Sequence, residues 1–298
     1  MLFHQYRGEW ILFIATIAAA LGWLFSKNAI TELPAVAFVS LRFSAAALIF
    51  LPFAWKQLCG LNTQQWKQSM LVGFSFSLYL FCWVLGIKFT TELGKGAFLL
   101  SLAMLAAPLI AWGIYKQRPI IQFWFALPVA VIGMYFLASG GGDSSESVQL
   151  DTLFFLLTAL WAAIQFVLNR HYAQFVPVLA LTTIQLSMVG AFCGIYSFMV
   201  ESIPTQIGSN TWIWLGLSIL IGTNLRFFLQ TLGQKLSDMG NGALIMILEP
   251  VWTMLLSVIF MAEVMSISKI IGCIFILMAL VLYRLNINGI RQLINRYR

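Results

Sequence analysis

The chain has 298 residues, of which 61% are hydrophobic and only 9% charged, and its mean hydropathy is +0.90. Soluble domains carry roughly a quarter charged residues, so that class is excluded. A net charge of +7 would suggest nucleic acid in a soluble domain, but here the basic residues scatter over loop ends, where membrane topology explains them.

Hydropathy predicts ten spans, at residues 10–30, 35–55, 69–88, 95–115, 120–139, 151–170, 177–199, 211–233, 240–262 and 266–285. Polar breaks separate them at Lys56 to Gln68, Lys116 to Pro119, Glu201 to Thr211 and Gln234 to Met239. The longest polar stretch, Gly140 to Glu146, falls near the midpoint and reads as a flexible linker. The expected fold class is an all-α membrane protein, with five helices in residues 1–139, a linker at 140–150 and five helices in 151–298. Counted by side, eleven Lys and Arg share a face with both termini and four lie on the other, which predicts cytoplasmic termini in a multi-pass protein of the bacterial inner membrane.

The two halves repeat. Thr16, Ala20, Trp23 and Lys27 fall at the same spacing as Thr158, Ala162, Gln165 and Asn169, an offset of 142. Pro108 and Pro250 share that offset, and Pro34 and Pro177 differ from it by one residue. Five spans per half is an odd number, so the second half enters the membrane inverted. Matched prolines in inverted halves predict helix breaks at Pro108 and Pro250, and a transport site between the halves.

Few residues bear chemistry inside the spans. Glu249 sits near the middle of the ninth, where a carboxylate is costly and marks a functional site. It reads either as a proton-coupling or ligand-binding acid, or as the buried partner of Arg226 or Arg42. Arg226 has the geometry to take a substrate carboxylate bidentately, or to pair with Glu249. The stripe Thr158, Ala162, Gln165, Asn169 shares one face of its helix and should look into the protein, with Gln165 and Trp23 lining a cavity. Tyr79, Trp83 and Trp161 are candidate stacking groups for an aromatic or cationic solute, though such residues more often pack or form interfacial belts. No metal spacing appears among the four cysteines and two histidines, no phosphate-binding loop is present, and no cofactor is expected.

Thr90-Thr91, Ala97-Phe98-Leu99 and Pro108, the second-span Leu41-Arg42-Phe43, and Gly242-Ala243 through Leu248-Glu249-Pro250-Val251 with Ala262-Glu263 and Ile271-Gly272 form a joint pattern. It resembles that of the EamA-type carriers of the drug/metabolite transporter superfamily. Lys116-Gln117-Arg118-Pro119 departs from it, where the family often has a Gly-Glu-Arg run. The resemblance implies a basket of ten helices, with the first, third, fourth, sixth, eighth and ninth around a central cavity. It further implies movement of amino acids, other small metabolites or drugs by alternating access without ATP hydrolysis. Export is the family-based expectation, with import of a vitamin or nutrient as the alternative. A membrane-embedded enzyme would need an acid–base pair or metal cluster, and a scaffold would need no buried charge. The expected partners are a small-molecule substrate and the bilayer, with coupled protons as an option. No nucleic acid is expected, and since one chain supplies both halves an oligomer is not required.

Overall fold

The computed structural model describes residues 7–90, 93–116, 118–119, 121–139, 150–202, 204, 206–237, 242, 245–246, 248–261 and 266–284. Among these residues there are ten helices and no strand: α1 (Arg7–Ala29), α2 (Ala35–Cys59), α3 (Thr63–Phe89), α4 (Leu93–Tyr115), α5 (Ile121–Ser139), α6 (Leu150–Tyr172), α7 (Val178–Val200), α8 (Ser209–Leu236), α9 (Leu248–Met261) and α10 (Ile267–Arg284). Six are long and apolar enough to cross a bilayer by length and composition, and α4, α5, α9 and α10 carry shorter apolar segments. Large side chains such as Phe53, Phe198, Met199 and Ile259 stand largely exposed on the outside of the bundle. Hydrocarbon, not water, is the solvent that suits such a surface. The expected linker at Gly140 to Glu146 lies outside the described residues.

Helix α3 begins six residues before its expected span. Asn62 Oδ1 accepts from the Gln65 backbone N–H at 2.8 Å, and Gln65 Oε1 accepts from the Asn62 N–H at 3.0 Å. This reciprocal cap turns the polar run Thr63 to Gln68 into the first turns of the helix. Hydropathy sees only the apolar part of such a helix.

The expected helix break at Pro108 is corrected: α4 runs through it without interruption, while Pro250 lies in the first turn of α9. A proline removes one donor and leaves one carbonyl, four residues back, without its helical partner. In lipid no water replaces the other hydrogen bonds, so the helix keeps them.

The irregular segment lies instead in α8, where Leu220–Leu225 forms a π-helical turn. Arg42 of α2, 1% exposed, closes it. Its Nη2 donates to the Gly222 carbonyl at 2.7 Å, its Nε to Thr223 Oγ1 at 2.5 Å, and its Nη1 to Ser26 Oγ of α1 at 2.7 Å. Thr223 Oγ1 in turn donates to the Ser218 carbonyl, five residues back. Phe38, Phe43 and Trp83 surround the guanidinium at 5.4–6.0 Å from their ring centroids. Gly22 and Gly222 face one another beside it, letting α1 and α8 touch backbone to backbone.

The principal packings form a closed pattern. Helix α1 packs on α8 and α9, α6 on α3 and α4, α2 on α8, and α7 on α3. The pairs α2–α7, α5–α10 and α4–α9 complete the set. Advancing every helix number by five returns the same pairs.

Two of the helices that start on the same face exchange caps. Helix α2 starts after Pro34 and α8 after Gly208, neither with a side-chain cap of its own. Glu201, from the loop before α8, accepts from the Val36 and Ala37 N–H groups at 3.1 and 2.7 Å. Glu32, from the loop before α2, accepts from the Gly208 N–H at 2.7 Å and the Thr211 hydroxyl at 2.6 Å. Each carboxylate meets the positive end of a helix dipole across the bundle.

Gly222→Ala places a methyl 2.8 Å from Gly22 Cα and from Arg42 Nη2, and is expected to cost about 1–3 kcal/mol by thermal unfolding in detergent. Gly216→Ala, on the same helix with nothing within 4 Å, is expected to be neutral or to gain about 0.5–1 kcal/mol. Equal melting temperatures for the two variants would contradict the close crossing.

The bonds from Thr211 and then Gly208 hold the Glu32 carboxyl below its ordinary value. A folded pKa below the unfolded one adds stability above the unfolded value, and this is lost as pH falls through the folded one. Thermal stability should therefore decline below about pH 4.5, the ordinary carboxylate value, and Glu32→Gln should flatten part of that decline.

Candidate functional site

Glu249, at the second position of α9, is 6% exposed. It accepts from Arg226 Nη2 at 3.3 and 3.1 Å through its two oxygens, and Trp23 Nε1 donates to its Oε1 at 2.8 Å. Of the two partners open from the sequence, Arg226 is the one the structure selects. Arg42 instead binds the π turn, with no carboxylate against it among the described residues. Arg226 is the first residue after that turn and lies over the Phe227 ring at 4.5 Å. The wider turn sets the rotation of everything after it, so it aims Arg226 inward.

Around the pair is a cavity of about 20 Å³, room for about one water molecule. Helix α3 contributes Tyr79, α4 contributes Ser101 and Met104, α6 Gln165, α8 Arg226 and Gln230, and α9 Glu249 and Pro250. Met246 also lines it. Met104 and Met246 are the residues four before Pro108 and Pro250, whose carbonyls a proline deprives of a helical donor, so both prolines act on the cavity wall. Trp23 closes the wall from α1 through its bond to Glu249.

The other expected aromatics are placed differently. Trp83 stands behind the wall, edge-to-face with Trp23 at 5.2 Å and near Arg42, with its Nε1 unpartnered. Trp161 lies outside the cavity lining, half-buried against the main apolar cluster. It is one residue off the α6 face that carries Thr158, Ala162, Gln165 and Asn169, and that 100° step turns it away.

A chain of amides leads from the cavity toward the C-terminal ends of α6 and α8. Gln165 Nε2 donates to Gln185 Oε1 at 2.9 Å, and Gln185 Nε2 to Asn169 Oδ1 at 2.8 Å. Asn169 Nδ2 then donates to Gln234 Oε1 at 2.5 Å and Thr231 Oγ1 at 3.3 Å. At the opposite end, Lys27, the 142-offset counterpart of Asn169, donates to the Ile87 and Thr90 carbonyls at 3.1 and 2.6 Å. Sequence reasoning missed Gln185, Gln230 and Gln234. Arg226, Gln230 and Gln234 recur every four residues, a polar face that was available as a signal.

The sequence pattern of the EamA-like transporter family matches residues 6–139 and again residues 150–285. The chain belongs to that family. An uncharacterized transporter of Archaeoglobus fulgidus is 27% identical over 285 residues, covering 92% of this chain and 85% of that protein. A crystal structure at 16% identity superposes with a TM-score of 0.74 over 94% of this chain and 98% of its own, which is a likeness of fold. As an EamA-like protein this chain is a multi-pass membrane transporter.

In such a transporter the central pair is a liability when half of it is removed. Arg226→Met leaves Glu249 buried with Trp23 as its remaining side-chain partner, and is expected to cost about 3–5 kcal/mol. Arg226→Met combined with Glu249→Leu should recover most of that loss. Denaturant or thermal unfolding of both single variants and the double variant measures it; additive losses would contradict the pairing.

Proposed function

We propose that this transporter moves a small metabolite across the bacterial inner membrane by alternating access, as a secondary-active carrier working as an exporter. The solute site is the cavity at Arg226 and Glu249, between repeats formed by residues 1–139 and 151–298, with both termini in the cytoplasm. The observation that carries this reading is the buried ion pair on the wall of a central cavity. A buried pair adds little net stability compared with apolar packing, so its place at the middle of a membrane bundle favours a role in binding.

The cavity holds about one water, so a metabolite enters only when helices part. Two sets of bonds hold the ends together. Lys27 ties α1 to the end of α3 on one face, and Asn169 ties α6 to the end of α8 on the other. In the proposed cycle one set opens while the other holds, and the gradient sets the direction of net flux. The importer of a nutrient uses the same site and the same steps.

Reconstituted protein should show counterflow of at least one solute from a panel of amino acids, organic acids, amines and vitamins. Arg226→Gln and Tyr79→Phe should each lower that flux, the former by about tenfold or more, as expected for loss of a hydrogen bond to a charged group. Flux for no member of the panel, or full flux in both variants, would refute the site.

A further inference from the structure

The charges around the cavity do not balance. Among the described residues, the inner parts of the helices carry two guanidiniums, Arg42 of α2 and Arg226 of α8, against one carboxylate, Glu249 of α9. Arg42 binds Gly222 and Thr223, four and three residues before Arg226 on α8, so the two guanidiniums share one region of the bundle. Helix α3 adds the neutral Tyr79, α6 adds Gln165 and α7 adds Gln185, while the charges of α6, Asp151 and Arg170, lie at its ends. Lys27 of α1 is held by carbonyls at the far end. The interior around the pair thus carries one excess positive charge, and a low-dielectric interior makes that costly.

The polar groups left without a partner lie at the same place. Arg226 Nε–H is buried without a partner, since Glu249 engages Nη2 alone. Gln230, one turn further along α8 and also lining the cavity, has a buried side-chain oxygen without a partner. An amide turned over offers N–H groups at that position with no change of shape. Glu249, by contrast, is already supplied by Arg226 and Trp23. A cationic solute would raise the excess charge, and an anionic one would cancel it.

We infer that the solute is an organic monoanion, a carboxylate with an apolar body, held by the unpartnered Nε–H of Arg226 with the Gln230 amide as the second donor. The bond from the guanidinium is charge-assisted, and the second oxygen of the carboxylate is free to accept from Gln230. Leu100, Met104 and Met246 supply the apolar side of the wall for the rest of the molecule. This inference rests on the reading that the cavity is the solute site.

The test uses the full chain, purified and reconstituted, with matched trios of carboxylate, amide and amine on one skeleton: 3-phenylpropionate and hexanoate, each with its amide and its amine. Thermal stabilisation and counterflow are read in parallel. The carboxylates are expected to bind at least about tenfold more tightly than their amides and amines. Arg226→Gln should erase that preference. Gln230→Met, which removes an amide with an unpartnered oxygen and leaves the ion pair intact, should weaken carboxylate binding severalfold and leave the melting temperature of the empty protein unchanged. Amines or amides that bind as well as the carboxylates, or a preference untouched in both variants, overturn the inference, as does failure of every trio to bind. The cavity-filling variant Ala162→Phe separates the two readings. If an amine or amide is carried and Ala162→Phe stops it, the cavity stands as the site and the anion assignment falls. If carboxylate flux survives Ala162→Phe, the cavity reading itself falls.

Discussion

A guanidinium in a hydrocarbon interior must be given acceptors, because neither water nor lipid supplies them there. This chain buries two and answers the demand in two ways. Arg42 is met by neutral oxygens, a carbonyl and two hydroxyls drawn from α1 and α8, with aromatic faces around it. Arg226 is met by a carboxylate from α9. The first solution joins α1, α2 and α8 at the point where α8 loses its regular hydrogen-bond ladder, and the π turn in α8 supplies the oxygen that Arg42 needs. The second solution sits on the cavity wall. Since the turn directly precedes Arg226, the structural arginine sets the rotation of the one that faces the cavity.

The exchange of partners across the bundle follows from the same constraint. Helix ends carry unsatisfied groups, and short loops leave few residues to cap them locally. Glu32 and Glu201 solve the problem for each other's following helix, each reaching across from its own loop. Lys27 and Asn169 occupy equivalent positions in α1 and α6 and reach the ends of α3 and α8, which are also equivalent by the five-helix shift. The positions correspond, but the chemistry has diverged. An ammonium holds two backbone carbonyls at one end, while an amide holds a glutamine and a threonine at the other.

The fold was legible in the sequence because bilayer thickness sets the length of each apolar run and the 142-residue offset shows in single residues. The helix edges were less legible where polar turns extend a span, as at Thr63 to Gln68, since hydropathy weighs side chains and ignores capping. Pro108 and Pro250 both lead to the cavity wall, but Pro108 lies in an unbroken helix. The π turn was invisible, because Leu220 to Leu225 contains no proline and its cause is a side chain 178 residues upstream of its first residue. Arg226, Glu249, Gln165, Tyr79 and Trp23 were recognisable as polar or amphipathic groups at membrane depth and come together around one cavity. Trp161 lies off the cavity lining, and aromatic character alone carries no direction, whereas position on a polar helix face does.

The distribution of these bonds decides which parts of the bundle can move. The Lys27 link is half-buried, so breaking it exchanges a protein partner for a solvent one, at a net cost of about 0.5–1.5 kcal/mol per bond, whereas the Asn169 link joins fully buried side chains. The Arg42 cluster has no such exchange available, since the residues it joins are buried and a parted guanidinium would face apolar side chains. The bundle is therefore tied less firmly at Lys27 than at Asn169 or at Arg42. The crossing of α1 and α8 at Gly22 and Gly222, where the backbones touch and Arg42 bridges them, is held on both sides. Arg226 follows directly on the turn that Arg42 binds, so its place on the cavity wall is fixed together with that crossing.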